Sequence, residues 1–221
     1  MNTLENPIKE GSMCHERKCI FIHIPKNGGT SVCESLGLDR SLHYTYRHYE
    51  NHFPKEWDTY FKFTIVRNPW SRLVSCYEYA KQDISYWHNN IKPTTKAPPH
   101  PDYELIKRIS FKEVVRLLYR DVHKHYPNVF RHAGWLPQMH WIKKNNEITV
   151  DKMYKIEDLG KLEKRFDIKL SVVNKTPTVD FRSYYDDETL EMVNHIYEDD
   201  IQTLKYSYDE KSYDNICNTS S

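Results

Sequence analysis

Lys26 and Arg67 carry the first chemical signal, because each stands where an apolar run gives way to a helix-like segment. Lys26 lies in Pro25-Lys26-Asn27-Gly28-Gly29-Thr30-Ser31, which follows a short apolar stretch over 19–24. A run that breaks at Pro-Lys and restarts after Gly-Gly reads as strand, tight loop, helix. Such a loop leaves backbone N–H groups unpaired at a helix N-terminus. Those donors, the helix dipole, the Lys26 ammonium and the Thr30 and Ser31 hydroxyls favour an anion, a phosphate or its sulfate analogue. Arg67 ends a second aromatic and β-branched run and is followed by Asn68-Pro69, an N-cap and a first-turn proline. Arg67, Ser71 and Ser75 then share a polar face of the helix, while Trp70, Leu73, Val74 and Tyr77 form its apolar face. Arg67 and Ser75 can converge on one anion. In an open α/β sheet both loops open at the carboxyl ends of the strands, where ligands sit.

The familiar phosphate loop has Gly-x4-Gly-Lys-Ser/Thr, with the lysine after the last glycine. Here Lys26 precedes Gly28-Gly29, so the order fails. A magnesium-dependent phosphoryl transferase also needs an acidic residue at a strand end. Arg67 stands there instead and serves an anion directly. The residues point to a nucleotide-like ligand bound without a metal. A phosphoryl transferase, or a module that binds a nucleotide or anionic glycan without turnover, remains the alternative.

Pro25-Lys26-Asn27-Gly28-Gly29-Thr30-Ser31 resembles the 5′-phosphosulfate loop of sulfotransferases, and Val66-Arg67-Asn68-Pro69-Trp70-Ser71-Arg72-Leu73-Val74-Ser75 resembles their 3′-phosphate motif. The group resembled is the carbohydrate sulfotransferases that include the chondroitin and heparan 2-O enzymes. The resemblance is continuous over about 19–80. It resumes more weakly at Tyr154-Lys-Ile-Glu157-Asp-Leu159, at Asn174-Lys175-Thr176 and at the Tyr184-to-Tyr206 helix. Within 82–150, where acceptor specificity normally lives, little beyond Pro137-Gln138 matches.

The resemblance implies transfer of a sulfuryl group from 3′-phosphoadenosine 5′-phosphosulfate (PAPS) to an acceptor hydroxyl, leaving 3′-phosphoadenosine 5′-phosphate (PAP). Lys26 would bind the phosphosulfate and stabilise the leaving oxygen. Asn27 and the backbone of Gly28, Gly29, Thr30 and Ser31 would cradle the 5′-phosphate, with both hydroxyls. Arg67 and Ser75 would hold the 3′-phosphate, assisted by Lys175. A carbohydrate acceptor is favoured, with a lipid, a small metabolite or a protein tyrosine as alternatives.

The acceptor must lose a proton, a task suited to histidine near neutral pH. Relatives place a histidine roughly two dozen residues before the arginine of the second motif. His43 is 24 residues before Arg67 and His48 is 19 before it. His43-Tyr44-Thr45 also resembles the His-Ala-Thr of bacterial relatives. His43 is the expected base, with His48 and a carboxylate as alternatives.

These residues need a rigid frame. The 221 residues suffice for one well-cored domain. A three-layer, P-loop-like α/β fold is expected, its central sheet mostly parallel and flanked by helices. Strands are expected at 19–24, 60–66 and 152–156. The last clear helix starts near Asp186, and Ser110-Phe-Lys-Glu113 forms a capping box. Residues 1–17 read as a loose arm, 18–208 as the domain, 82–110 as a proline-rich lid or insertion, and 209–221 as a tail. The mean hydropathy of −0.81 is low, yet 17 tyrosines argue for a wet aromatic fold and against disorder. A net charge of +1 advertises no nucleic-acid partner. The five cysteines lack framework spacing, and Cys14, His15 and Cys19 lack the second pair a zinc site needs. With neither a signal h-region nor a long apolar span, the chain reads as soluble and cytoplasmic.

Overall fold

The computed structural model describes residues 8–38, 42–83, 99–124, 129–170 and 180–209. The chain opens with β1 (Met13–Cys14) and β2 (Cys19–Ile22), then α1 (Gly29–Leu36), α2 (Tyr46–His52) and α3 (Pro54–Thr59). Strand β3 (Phe61–Val66) and helix α4 (Pro69–Ala80) follow. Next come α5 (Tyr103–Ile106), α6 (Phe111–Lys124), a 3-10 turn at Ala133–Trp135, α7 (Met139–Ile142) and a ribbon of β4 (Lys143–Lys144) and β5 (Glu147–Ile148). The chain continues through β6 (Lys152–Lys155), α8 (Gly160–Phe166), a 3-10 turn at Phe181–Tyr184, α9 (Asp187–Ile196) and α10 (Glu198–Leu204).

The central sheet has the order β1-β2-β3-β6. Strands β2, β3 and β6 are parallel, with Phe21 opposite Phe63 and Ile65 opposite Tyr154, while β1 pairs antiparallel to β2. Alternation along β2 buries both faces. Ile20 and Ile22 pack with Leu73 and Val74 of α4, Val114 and Val115 of α6 and Val193 of α9. Cys19 and Phe21 join Val32 and Leu36 of α1 and Leu162 and Phe166 of α8. This is the expected three-layer α/β architecture, and strands buried on both faces read as continuous apolar runs for that reason.

Local signals set several boundaries. The Asn68 side chain accepts from Ser71 N (3.1 Å) and opens α4, with Pro69 at its first position. Ser110 N donates to Glu113 Oε2 (2.7 Å) and Glu113 N to Ser110 Oγ (3.3 Å), the expected capping box. Helix α1 ends at Gly37 (φ 65°), with Leu38 N donating to Cys33 O and Gly37 N to Glu34 O.

Three expectations need correction. Within the supposed loose arm, Met13–Cys14 form a strand, with Ser12 and Met13 buried. Two residues are too few to show a period, and their pairing comes from β2. Within the supposed lid, residues 99–110 are anchored in the fold, with His100, Asp102 and Ile106 buried. Residues 84–98, like 210–221 of the tail, lie outside the described residues. The last helix is two helices, broken at Tyr197, whose buried hydroxyl donates to Trp135 O (2.7 Å). The break turns Asp200 of α10 onto the N-terminus of α7, where its carboxylate accepts from Gln138 N (2.7 Å) and Met139 N (2.8 Å).

Gly37 allows a test of the frame alone. A Cβ there meets nothing within 4 Å, so Gly37→Ala adds only left-handed backbone strain. The variant is expected to lose about 1 kcal/mol in urea unfolding with an unchanged m-value.

Candidate active site

Strands β2 and β3 lie side by side and parallel, so the loops after Ile22 and Val66 open on one edge of the sheet. In the first loop Lys26 (φ 67°) and Gly28 (φ 75°) are both left-handed, and no side chain caps α1 at Gly28. This backbone presents N–H groups as a nest at a helix N-terminus, backed by the helix dipole. Gly29 must be glycine for a steric reason. A Cβ there would fall 2.3 Å from His23 Cδ2 and 2.5 Å from His23 Nε2. The His23 ring thus lies directly beneath the first turn of α1. Thr30 is half-buried and Ser31 buried in that turn.

The two motifs meet through Arg67. Its Nη1 donates to Lys26 O (3.1 Å) and its Nε to Ser71 Oγ (3.0 Å). Ser75 is buried one turn further along the same face of α4. The Lys26 Nζ sits 3.9 Å above the ring of Tyr79, also on α4. Burial brings the Lys26 ammonium down to about 8; Cys76 opposes this, and the guanidinium groups of Arg67 and Arg72 add to it. A partly desolvated ammonium crowded by two guanidinium groups is a place an anion relieves. The side chain of Asn27 has a structural part. Its buried Nδ2 donates to Ile65 O (2.7 Å) and Gln138 Oε1 (2.8 Å), so its side chain ties the loop to β3. Lys175 lies outside the described residues.

Sequence reasoning missed the braces. Arg72, buried on α4, donates through Nε to Pro25 O (3.1 Å), through Nη1 to Leu136 O (3.0 Å) and through Nη2 to Gly134 O (3.0 Å). Gln138 Oε1 accepts from Arg67 N (2.9 Å) as well as from Asn27, and its Nε2 donates to Arg67 O (2.8 Å). Asp102 accepts from Arg131 N (2.7 Å), His132 N (3.2 Å) and Trp135 Nε1 (2.8 Å), fixing the segment that Arg72 grips. Arg72 lies inside the second motif and Gln138 in the one matched dipeptide of 82–150, but their partners are far away in sequence. Nothing local revealed them.

The histidines separate by environment. His43 Nδ1 lies 2.9 Å from His23 O, and the two rings are 4.2 Å apart. A carbonyl only accepts, so Nδ1 carries the proton in neutral His43 and Nε2 is the unprotonated nitrogen. Burial lowers its pKa; the bond to His23 opposes this, and the charges of Lys26 and Arg72 add to it. His43 therefore shares the electrostatic environment of Lys26. His48 belongs to a different group: its Nε2 lies 2.8 Å from Lys9 O, and its ring stacks on Tyr44 at 3.6 Å and is near His52. His132 is held by Gly134 N donating to its Nδ1 (3.1 Å) and feels His100, His43, Arg72 and Lys26.

A mostly parallel sheet with a capless, glycine-lined helix start and two cations at its edge is an α/β architecture whose loops suit an anion. The chain belongs to the sulfotransferase family, whose model matches residues 10–207. No curated protein and no solved structure matches it. Membership makes its reaction sulfuryl transfer to an acceptor. Among the described residues no helix is long and apolar enough to cross a membrane.

Lys26 gives a sign that stability measurements can read. Its folded pKa of about 8 lies below the ordinary 10.5, so between these pH values the unfolded chain binds more protons. Its charge destabilises the anion-free fold at neutral pH, and that cost fades as pH rises through the window. Compared with Lys26→Met, the wild type is expected to gain relative stability from about pH 8 to 10.5 in anion-free buffer. Paired urea titrations across that range check the sign.

Proposed function

We propose that this chain transfers the sulfuryl group of PAPS to an acceptor hydroxyl, with Lys26 at the leaving oxygen and His43 as general base. The single observation that carries the reading is the hydrogen bond from Arg67 Nη1 to Lys26 O (3.1 Å), which brings the two cationic loops together. The residues fit the donor. The nest at Gly28–Ser31, with Gly29 forced by His23, suits a 5′-phosphate, and Arg67 with Ser75 suits a 3′-phosphate. When bound, PAPS supplies the sulfuryl group on a phosphate leaving group.

The protein's own part is positioning and charge. Lys26 and the α1 N-terminus stabilise negative charge that grows on the bridging oxygen as the S–O bond breaks, while Arg67 holds the far phosphate in place. His43 Nε2 accepts the proton of the acceptor hydroxyl as the new O–S bond forms. Its tautomer is set by His23 O, and its pKa, held below 6.5 chiefly by burial, keeps it neutral at pH 7. The acceptor we favour is a carbohydrate hydroxyl, and a panel with lipid, small-metabolite and tyrosyl-peptide acceptors discriminates the classes.

Two measurements test the reading. PAP is expected to bind more tightly than 5′-AMP by at least about tenfold, and Arg67→Ala to erase most of that preference. Equal affinity for the two nucleotides in the wild type, or a preference that survives Arg67→Ala, defeats the donor assignment. His43→Ala is expected to lower turnover by about 10²-fold or more while PAP affinity holds. In the wild type the acidic limb of the kcat/KM profile for the donor, which reports the free enzyme, lies below pH 6.5, because His43 must be neutral to accept a proton. Normal turnover in His43→Ala moves the base elsewhere.

A further inference from the structure

Cys14 and Cys19 are paired residues of the β1–β2 hairpin, facing each other across an antiparallel ladder with their side chains in hydrogen-bonding contact. We propose that this pair is a disulfide site, closed by a peroxide oxidant, and that it is separate from the sulfuryl-transfer chemistry. Directly opposed residues of an antiparallel pair have Cα atoms about 4.5–5.5 Å apart, inside the span a disulfide bridges. The bond therefore needs side-chain rotation and no shift of the strands. The other described cysteines are engaged elsewhere: Cys33 contacts Ser12 and His23, and Cys76 donates to Gly134 O.

Exposure assigns the order of events. Cys14 is half-buried at the sheet edge and Cys19 is fully buried behind it. Burial pushes the Cys19 thiol up to about 12, with Cys14 adding to the rise and Arg17 opposing it. Cys14 is thus the nucleophile that meets the oxidant. Its thiolate attacks one peroxide oxygen, the O–O bond breaks, and hydroxide leaves with Cys14 as the sulfenic acid. The Cys19 sulfur then attacks the Cys14 sulfur, the S–O bond breaks, and the departing hydroxide takes the Cys19 proton as water. In sum two thiols lose two electrons and one peroxide becomes two waters.

The hairpin has a convenient protease map, because trypsin cuts after Arg17 and Lys18, between the two cysteines. The experiment treats the full chain with stoichiometric hydrogen peroxide, blocks remaining thiols, digests with trypsin and analyses the peptides without reduction. The expected product joins the peptide from Glu10 to Arg17 with that from Cys19 to Lys26, about 2 Da lighter than the two thiol peptides together. A dithiol separates them, and Cys14→Ser, at a half-exposed position, abolishes the joined species. The proposal is overturned if both thiols remain alkylatable, if Cys14 proceeds to the sulfinic acid, or if it couples to another cysteine. The melting midpoint checks the geometry separately. It should hold or rise on oxidation of the wild type, and a fall shows that the bond forms only when β1 leaves the sheet, which also overturns it.

Discussion

The guanidinium of Arg72 is the tie on which the site depends. Buried in α4, it holds Pro25 O at the start of the Lys26 loop and two carbonyls of the 134–136 segment at once. A desolvated guanidinium is tolerable only when its donors are filled, and buried carbonyls likewise need partners. Each part therefore meets the other's requirement. The plane and fork of an arginine can span three carbonyls, which a lysine ammonium does less well. Gln138 does the neutral equivalent at Arg67, using both ends of one amide, and Asp200 in turn seats the start of α7. The Arg72 bonds run to neutral carbonyls and so neutralise none of its charge.

What the sequence revealed and what it hid divide along contact range. The loop at 25–31, the Asn68 cap and the Ser110–Glu113 box are written in residues a few positions apart, so spacing alone exposed them. The three-layer sheet followed from apolar runs buried on both faces. Arg72, Gln138, Asp102 and Asp200 act on backbone tens of residues away, and no period or motif encodes such a partnership. The 99–110 stretch misled for a related reason. Its prolines and polar residues look like an insertion, yet Asp102 is buried because three N–H groups from the 131–135 segment satisfy it. Composition reports solvation in isolation, whereas burial of a carboxylate depends on donors supplied by another segment.

The choice between His43 and His48 shows the same limit. Both fit a polar connection between the two motifs, and counting residues ranked them without separating them physically. Their environments do. One ring lies against His23 in the field of Lys26, while the other is tied to Lys9 and stacked on Tyr44. Position along the chain carries little information about which carbonyl a ring nitrogen meets, and that carbonyl decides which nitrogen stays basic.

His23 serves two structures with two different atoms. Its ring fills the space under Gly29, and its carbonyl oxygen fixes the orientation of His43. The Gly28–Ser31 backbone and the neighbouring imidazole are thus registered to a single residue. A drift in that residue's backbone moves both together, so the separation between them stays nearly constant while the surrounding loops breathe. The same economy restricts evolution. A substitution at position 23 that needs a shifted backbone to fit under Gly29 moves the carbonyl as well, so the α1 loop and the His43 ring cannot be reset independently through it.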